Sequence, residues 1–372
     1  TLNYLDHSID ANKRQDGMYH AYNLMTVEDN GDVSISYLSE MLEGQVAVLS
    51  SGYLTSVQAL EVMNALKSSA LFREDQYSYI LYTNKDLPGF EEKNIIQKEL
   101  VAKSELLQKL LKDGNQQIIV EDSTGVYHFN ATYNNVNSLK KSLKQMSQGR
   151  YGHLVIKEQR QLEKTFEAVF NHKAFTGRSG TFFGFEGLGS IYWHMVSKLL
   201  LAVQECCLKA VNDGESDVVI GKMLDHYYEL QDGIGAHNSP ELYGAVPTDP
   251  YSHTPATKGA QQPGMTGQVK EDILSRFGEL GLVVKEGLVS FKPSLLRKQE
   301  FLKQATDFNY IGVDRKKQTI LVNAGSLAFT YCQVPVIYTT SEQQGVQVTC
   351  TDGIVKTFDQ LQLDKVTSEQ LF

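Results

Sequence analysis

The sequence predicts a mainly α chain: a helical domain, toroid-like, followed by an antiparallel β domain. Three observations predict this. Apolar residues recur at i, i+3 and i+4 along stretches that run to about residue 282. From Val283 they alternate instead, and turn pairs such as Asp352-Gly353 separate the alternating runs. No repeat of fixed period is present, which favours a helical toroid or bundle over a solenoid. The division expected is residues 1–282, helical, with a small β-hairpin near 116–132, and residues 283–372, rich in β.

In chain order, `SYLSEMLEGQVAVLS` and `LTSVQALEVMNALKSSALF` form a helix pair across the break Ser51-Gly52-Tyr53, with Thr55 as N-cap of the second. `EEKNIIQKELVAKSELLQKLLKDGN` reads as one helix closed by Gly114. `QQIIVED` and `VYHFNAT` flank a short turn and form the hairpin. Helices resume at `NSLKKSLKQMSQ`, at `IKEQRQLEKTFEAVFNH`, from Ile191 to Val211 and from Asp217 to Leu230. A last one, `GQVKEDILSRFGELG`, precedes the β runs `LVVKEGLVSF`, `QTILVN`, `SLAFTYCQVPVIYTT` and `GVQVTCTDGIVKTF`.

A net charge of -9 argues against binding a nucleic-acid backbone, and no basic run interleaves with aromatics. No apolar run is long enough to span a membrane, since Lys198 and Gln204 break the longest. The chain begins at Thr1 within structured-looking sequence, which fits a piece of a longer protein; its compartment is not readable. Cys206 and Cys207 are expected as buried thiols on a helix. Cys332 and Cys350 fall in expected strands, where free thiols are favoured over a disulfide. No spacing matches a metal site, and no cofactor is implied.

The stretch Asp232–Gly267 is unlike a linker. It carries prolines at 240, 247, 250, 255 and 263, and displays His237, Asn238, Tyr243, Tyr251, His253, Gln261 and Gln262. A stiff loop with aromatic and amide groups suits a binding wall, against the alternative of a loop that covers a core. In `FTGRSGTFFGFEGLGSIYWHMVSKL`, five glycines precede a helix start, which reads equally as an anion site made by backbone N–H groups and Arg178 or as a close-packed helix entry. Glu186 sits there among aromatic and small residues, a setting that raises a carboxyl pKa and suits a general acid, against the alternative of a structural carboxylate capping the helix that follows. Asp232, Glu241 and Asp249 are candidate partners, because glycosidic cleavage needs two carboxylates across a cleft. Tyr192, Trp193 and His194 are candidate sugar contacts, with a core position as the alternative for Trp193. Weaker clusters, Asp10–Met25 and Arg73–Tyr82, read equally as cleft rims or as ordinary turns.

The segments `YHAYNLM`, `GTFFGFEGLGSIYWHM` and `GAVPTDPYSHTPATKGAQQPGMTGQVKEDIL` resemble stretches of large bacterial helical-toroid carbohydrate-active enzymes of the glycoside hydrolase and phosphorylase kind. The resemblance implies a helical toroid before a β domain. It implies sugar chemistry, glycosidic cleavage by hydrolysis or phosphorolysis, but does not identify the acid and base; the residues themselves offer Glu186 as acid and Asp249 or Glu241 as base where water attacks. In the phosphorolytic case the glycine-rich loop and Arg178 hold phosphate. A polysaccharide lyase using Asn, His, Tyr and Arg, and a non-catalytic carbohydrate-binding module, are the competing readings. The partners expected are a saccharide, inorganic phosphate for phosphorolysis, and the remainder of a longer chain.

Overall fold

In the computed structural model of the chain, residues 1–27, 31–83, 88–171, 191–234, 253–254 and 269–372 are described. Helix α1 (Leu2–Ala11) leads into the hairpin β1 (Asn23–Val27) and β2 (Val33–Tyr37), paired in the register Asn23↔Tyr37 to Val27↔Val33. That pairing takes residues up to Tyr37 away from the expected first helix, so α2 spans only Leu42–Ser50. Helix α3 (Ser56–Lys67) starts as expected at Thr55. The Thr55 side chain accepts from the Gln58 N–H, and the Gln58 side chain accepts in return from the Thr55 N–H. Short strands β3 (Phe72–Arg73) and β4 (Ser78–Tyr79) follow.

The single helix expected over Glu91–Asn115 is three: α4 (Phe90–Lys93), α5 (Lys98–Ala102) and α6 (Glu105–Lys112). Two interactions break it. Ile96 pairs its backbone with Tyr127, beside the hairpin β5 (Ile119–Glu121) and β6 (Tyr127–Phe129). At the second break, Ser104 caps α6 by accepting from the Leu107 N–H at 3.1 Å. The Glu158 carboxylate, from α8, then receives the Ser104 hydroxyl at 2.5 Å and the N–H groups of Glu105 and Leu106 at 3.0 and 3.2 Å. A carboxylate on a helix N-terminus satisfies orphan donors and opposes the helix dipole. Helices α7 (Val136–Met146) and α8 (Gly152–Phe170) complete this region.

Strand β7 (Ile191–Tyr192) runs directly into α9 (Trp193–Asp213), followed by α10 (Asp217–Gly233), β8 (His253–Thr254) and α11 (Val269–Glu279). The β region comprises four antiparallel hairpins: β9 (Leu282–Lys285) with β10 (Leu288–Phe291), β11 (Thr306–Ile311) with β12 (Lys317–Val322), β13 (Ser326–Tyr331) with β14 (Val334–Thr339), and β15 (Val346–Thr349) with β16 (Val355–Phe358). A terminal helix α12 (Lys365–Leu371) covers β10, where the Val289 N–H donates to Ser368 Oγ at 3.0 Å. The order, helices and then antiparallel hairpins, is the one the sequence predicts. Cys332 and Cys350 are free thiols: Cys332 occupies the turn between β13 and β14 at φ 49°, exposed and outside either strand. Cys206 and Cys207 are buried, and burial pushes both thiols up to about 12.

Within 1–282 the buried apolar side chains of the described residues gather in two clusters. One joins α2 and α3 to α9 and α10, through Leu42, Leu60, Met63, Leu199, Val203 and Tyr227 among others. The second is drawn wholly from Ile96–Phe170 and includes Leu106, Phe129, Leu139 and Phe166. The hydrogen bonds described for residues 88–171 close within that range. At its two ends, the rings of Phe90 and Phe170 stack with centroids 6.1 Å apart. On the other side, Ile80 pairs with Ile191. Entry and exit are therefore adjacent on both sides, the geometry that domain insertion requires.

Replacing Glu158 by Ala strips three donors of their acceptor and is expected to destabilise the 88–171 module by about 3 kcal/mol. Glu158→Gln, which keeps one acceptor, costs about half as much. Amide hydrogen exchange in α6 and α8 reads both; unchanged protection in the Ala variant would mean that the carboxylate does not order α6.

Candidate functional site

Three stretches that the sequence singles out meet along a short ladder of backbone pairs. Ile80, from Arg73–Tyr82, pairs with Ile191. Strand β7 then pairs with β8 in the register Ile191↔Thr254 and Tyr192↔His253, which ties Asp232–Gly267 to the glycine-rich stretch. The ladder is held at its edge by Gly233, the last residue of α10. A Cβ there would lie 2.0 Å from the Tyr77 carbonyl oxygen, so only glycine allows the helix to end against that turn. Tyr77 itself stands at φ 49°.

Because β7 passes into α9 without a loop, consecutive residues face different surroundings. Trp193, named as a sugar contact, is 1% exposed within the first core, so its ring offers no face to a ligand. His194 lies on the first turn of α9 with a quarter of its side chain exposed, and its Nε2 is 3.3 Å from Glu271 Oε1. The Tyr192 ring meets the His194 ring edge-on, with centroids 5.9 Å apart. Glu271 is 4% exposed, and its buried Oε2 has no hydrogen-bond partner among the described residues.

Glu271 begins a polar seam along α11. Glu271, Ser275 and Glu279 recur every four residues, hence on one face of the helix, and all three are buried. Gln204 of α9 donates to the Ser275 carbonyl at 2.7 Å and to Tyr227 Oη at 3.0 Å. Tyr227 in turn donates to Glu279 Oε1 at 2.6 Å. Gln231 donates to the same oxygen at 2.5 Å, and Arg276 to Oε2 at 2.5 Å. Burial and the Glu279 charge hold the Tyr227 phenol far above its usual range, so it stays a proton donor. The opposite face of α11 carries Ile273, Leu274 and Phe277, each more than a third exposed. The helix thus turns its carboxylates inward and apolar residues outward, an arrangement that hydrophobic periodicity does not reveal. The spacing Glu271, Ser275, Glu279 was the one available signal.

In the weaker clusters, several polar and aromatic side chains have partners close by in the chain. Arg14 is committed to Asp16 and to Glu40, the latter at 2.9 Å. Arg73 is bonded to Asp75. His20 stacks on Tyr37 at 4.2 Å. The Tyr22 phenol is pushed up to about 12 by its bond to Glu43, with burial adding to it. Arg178 and Glu186 fall in 172–190, outside the described residues. His237, Asn238, Glu241, Tyr243, Asp249, Tyr251, Gln261 and Gln262 also lie outside the described residues; of His253 only the backbone is described. Among the described residues, no group of His, Cys, Asp and Glu is placed to hold a metal ion, and no helix is long and apolar enough to cross a membrane.

Truncating Glu279 to Ala leaves Tyr227, Gln231 and Arg276 without their shared acceptor and is expected to cost 3–5 kcal/mol, roughly, in urea unfolding. Glu279→Gln, isosteric and still an acceptor, is expected to cost less. Equal loss in the two variants would contradict the network's dependence on hydrogen bonds.

Residues 87–173 match a family model described as GH149 phosphorylase insertion domain 2. The match spans the module that carries the second core, from before Phe90 to beyond Phe170. No curated protein matches the chain. The match supports a carbohydrate-active, phosphorylase-like protein at that coarse level.

Proposed function

We propose that the chain is part of a toroid-type carbohydrate-active enzyme that cleaves glycosidic bonds of an oligo- or polysaccharide by phosphorolysis. The observation that carries the reading is the match of a phosphorylase insertion domain to a segment folded around its own core. The word phosphorylase in the description of that model favours phosphate over water as the attacking group.

In this reading Glu186 is the general acid and protonates the glycosidic oxygen as its bond to the anomeric carbon breaks. A phosphate oxygen forms the new bond to that carbon, giving a sugar phosphate and a shortened saccharide. The glycine-rich loop and Arg178 hold the phosphate, which carries the charge that Asp249 or Glu241 would supply in hydrolysis. Tyr192 and His194 stand at the ladder where the loop Asp232–Gly267 returns to the helical core, and they contact the sugar. Amide and aromatic groups of that loop, Asn238, Tyr243, Tyr251, Gln261 and Gln262 with His237 and His253, complete the wall.

The full chain, incubated with neutral and uronate-containing glycans, is expected to release sugar phosphate only when inorganic phosphate is present. Glu186→Gln is expected to lower turnover at least 100-fold with the fold intact, on the order of the usual general-acid contribution. New reducing ends without phosphate would replace phosphorolysis by hydrolysis, and an unsaturated product would replace it by elimination. Full activity in Glu186→Gln would remove that residue from the mechanism.

A further inference from the structure

Glu271 is buried at a cost that its own helix does not offset. It lies in the first turn of α11, where an acid gains from the helix dipole. That gain is smaller than the cost of taking a carboxylate out of water. Glu279, at the other end of the helix, recovers the cost through three donors. Glu271 has one hydrogen-bond partner among the described residues, the His194 ring, with Nε2 3.3 Å from its Oε1. Lys270 Nζ is 3.7 Å from the same oxygen, but its side chain is 71% exposed, and such a pair contributes little.

The imidazole is held on two sides. Glu271 takes Nε2, and the Tyr192 ring stands edge-on with centroids 5.9 Å apart. Both holding groups belong to elements that the fold fixes. Tyr192 is in the β7–β8 ladder, and Glu271 is on the face of α11 that also carries the buried Ser275 and Glu279. A carboxylate accepts, so Nε2 is the nitrogen that carries a proton, and Nδ1 is left for another partner. Of the pair, His194 is the member that reaches the surface: 26% of its side chain is exposed, against 5% for Glu271. A buried carboxylate behind a partly exposed imidazole is a recurrent means of orienting a working histidine.

We propose that Glu271 is a positioning residue, which fixes the His194 ring so that Nδ1 is presented to the saccharide. The proposal rests on the reading of His194 as a sugar contact. Glu271 acts through the ring, and its burial serves the site more than the fold. Replacing a buried ionic group by an apolar side chain of like volume is often neutral or stabilising. Here the group left behind, His194, is a quarter exposed and is not a stranded buried charge. A carboxylate kept for stability alone would give the opposite result.

The test compares the full chain with Glu271→Met, which keeps the volume and removes the acceptor, and with Glu271→Gln, which keeps an acceptor. With histidine labelled in its ring nitrogens, the Nε2–H proton of His194 is identified by its loss in His194→Gln. It is expected to exchange slowly in the wild type and in Glu271→Gln, and to vanish into solvent exchange in Glu271→Met. Turnover is read with inorganic phosphate and maltotetraose, laminaritetraose or cellotetraose. KM for the glycan is expected to rise about tenfold in Glu271→Met with kcat little changed, because a contact to a non-reacting sugar is made in ground and transition states alike. Glu271→Gln is expected to recover most of that loss. A variant that had merely lost structure would lower kcat and leave KM. In a His194→Gln background, Glu271→Met is expected to add nothing. A ring proton or a KM unchanged in Glu271→Met, or a full further loss in the His194→Gln background, would overturn the proposal. No turnover by the wild type would sink the phosphorolytic reading instead, and the ring proton would still decide whether Glu271 fixes His194.

Discussion

One backbone pairing organises the described structure: Ile80 against Ile191. It joins two parts of the chain separated by the whole 88–171 module, and it continues through β7 into β8. Closing a loop of that length would be entropically costly were the loop unstructured. Here the intervening segment folds on its own core, with Phe90 and Phe170 stacked at its ends. The pairing therefore closes a short gap between two structured bodies. The first core, built from α2 and α3 before the module and from α9 and α10 after it, depends on that closure.

The site inherits its position from the same pairing. Since β7 feeds straight into α9, the register that sets Ile191 opposite Ile80 also fixes Trp193 inward and leaves His194 near the surface. Helix α11 then packs on α9 with its carboxylates inward. Burying acids in this way is costly unless each is paired, and Glu279 is paired three times. Such satisfied networks fix one arrangement of helices rather than many. That rigidity is what a site assembled from α9, α10 and α11 needs.

Much of the fold was legible in the sequence because local rules operate unopposed there. The Thr55 cap, the hairpin at 119–129 and the change of period after residue 282 all follow from nearest neighbours. What escaped depends on partners distant in the chain. The break at Ile96 comes from Tyr127, and the break at Ser104 is completed by Glu158. The nesting of one module inside another leaves no periodic trace, since both are helical. Of the site, the meeting of Arg73–Tyr82, Ile191–His194 and Asp232–Gly267 rests on strand pairs only two residues long, below what pattern alone detects. The inward face of α11 escaped because its exposed side is apolar, the reverse of the usual rule.

The measurement that bears most directly on this account is excision of the module. Residues 84–190, which contain the module, are removed, Thr83 and Ile191 are joined through a short Gly-Ser linker, and the product is unfolded in urea. Nested architecture predicts a soluble chain that unfolds cooperatively, with exchange protection retained in α2, α3, α9 and α10. A chain that loses cooperative unfolding on excision would contradict it, and would place the module inside the first core instead of beside it.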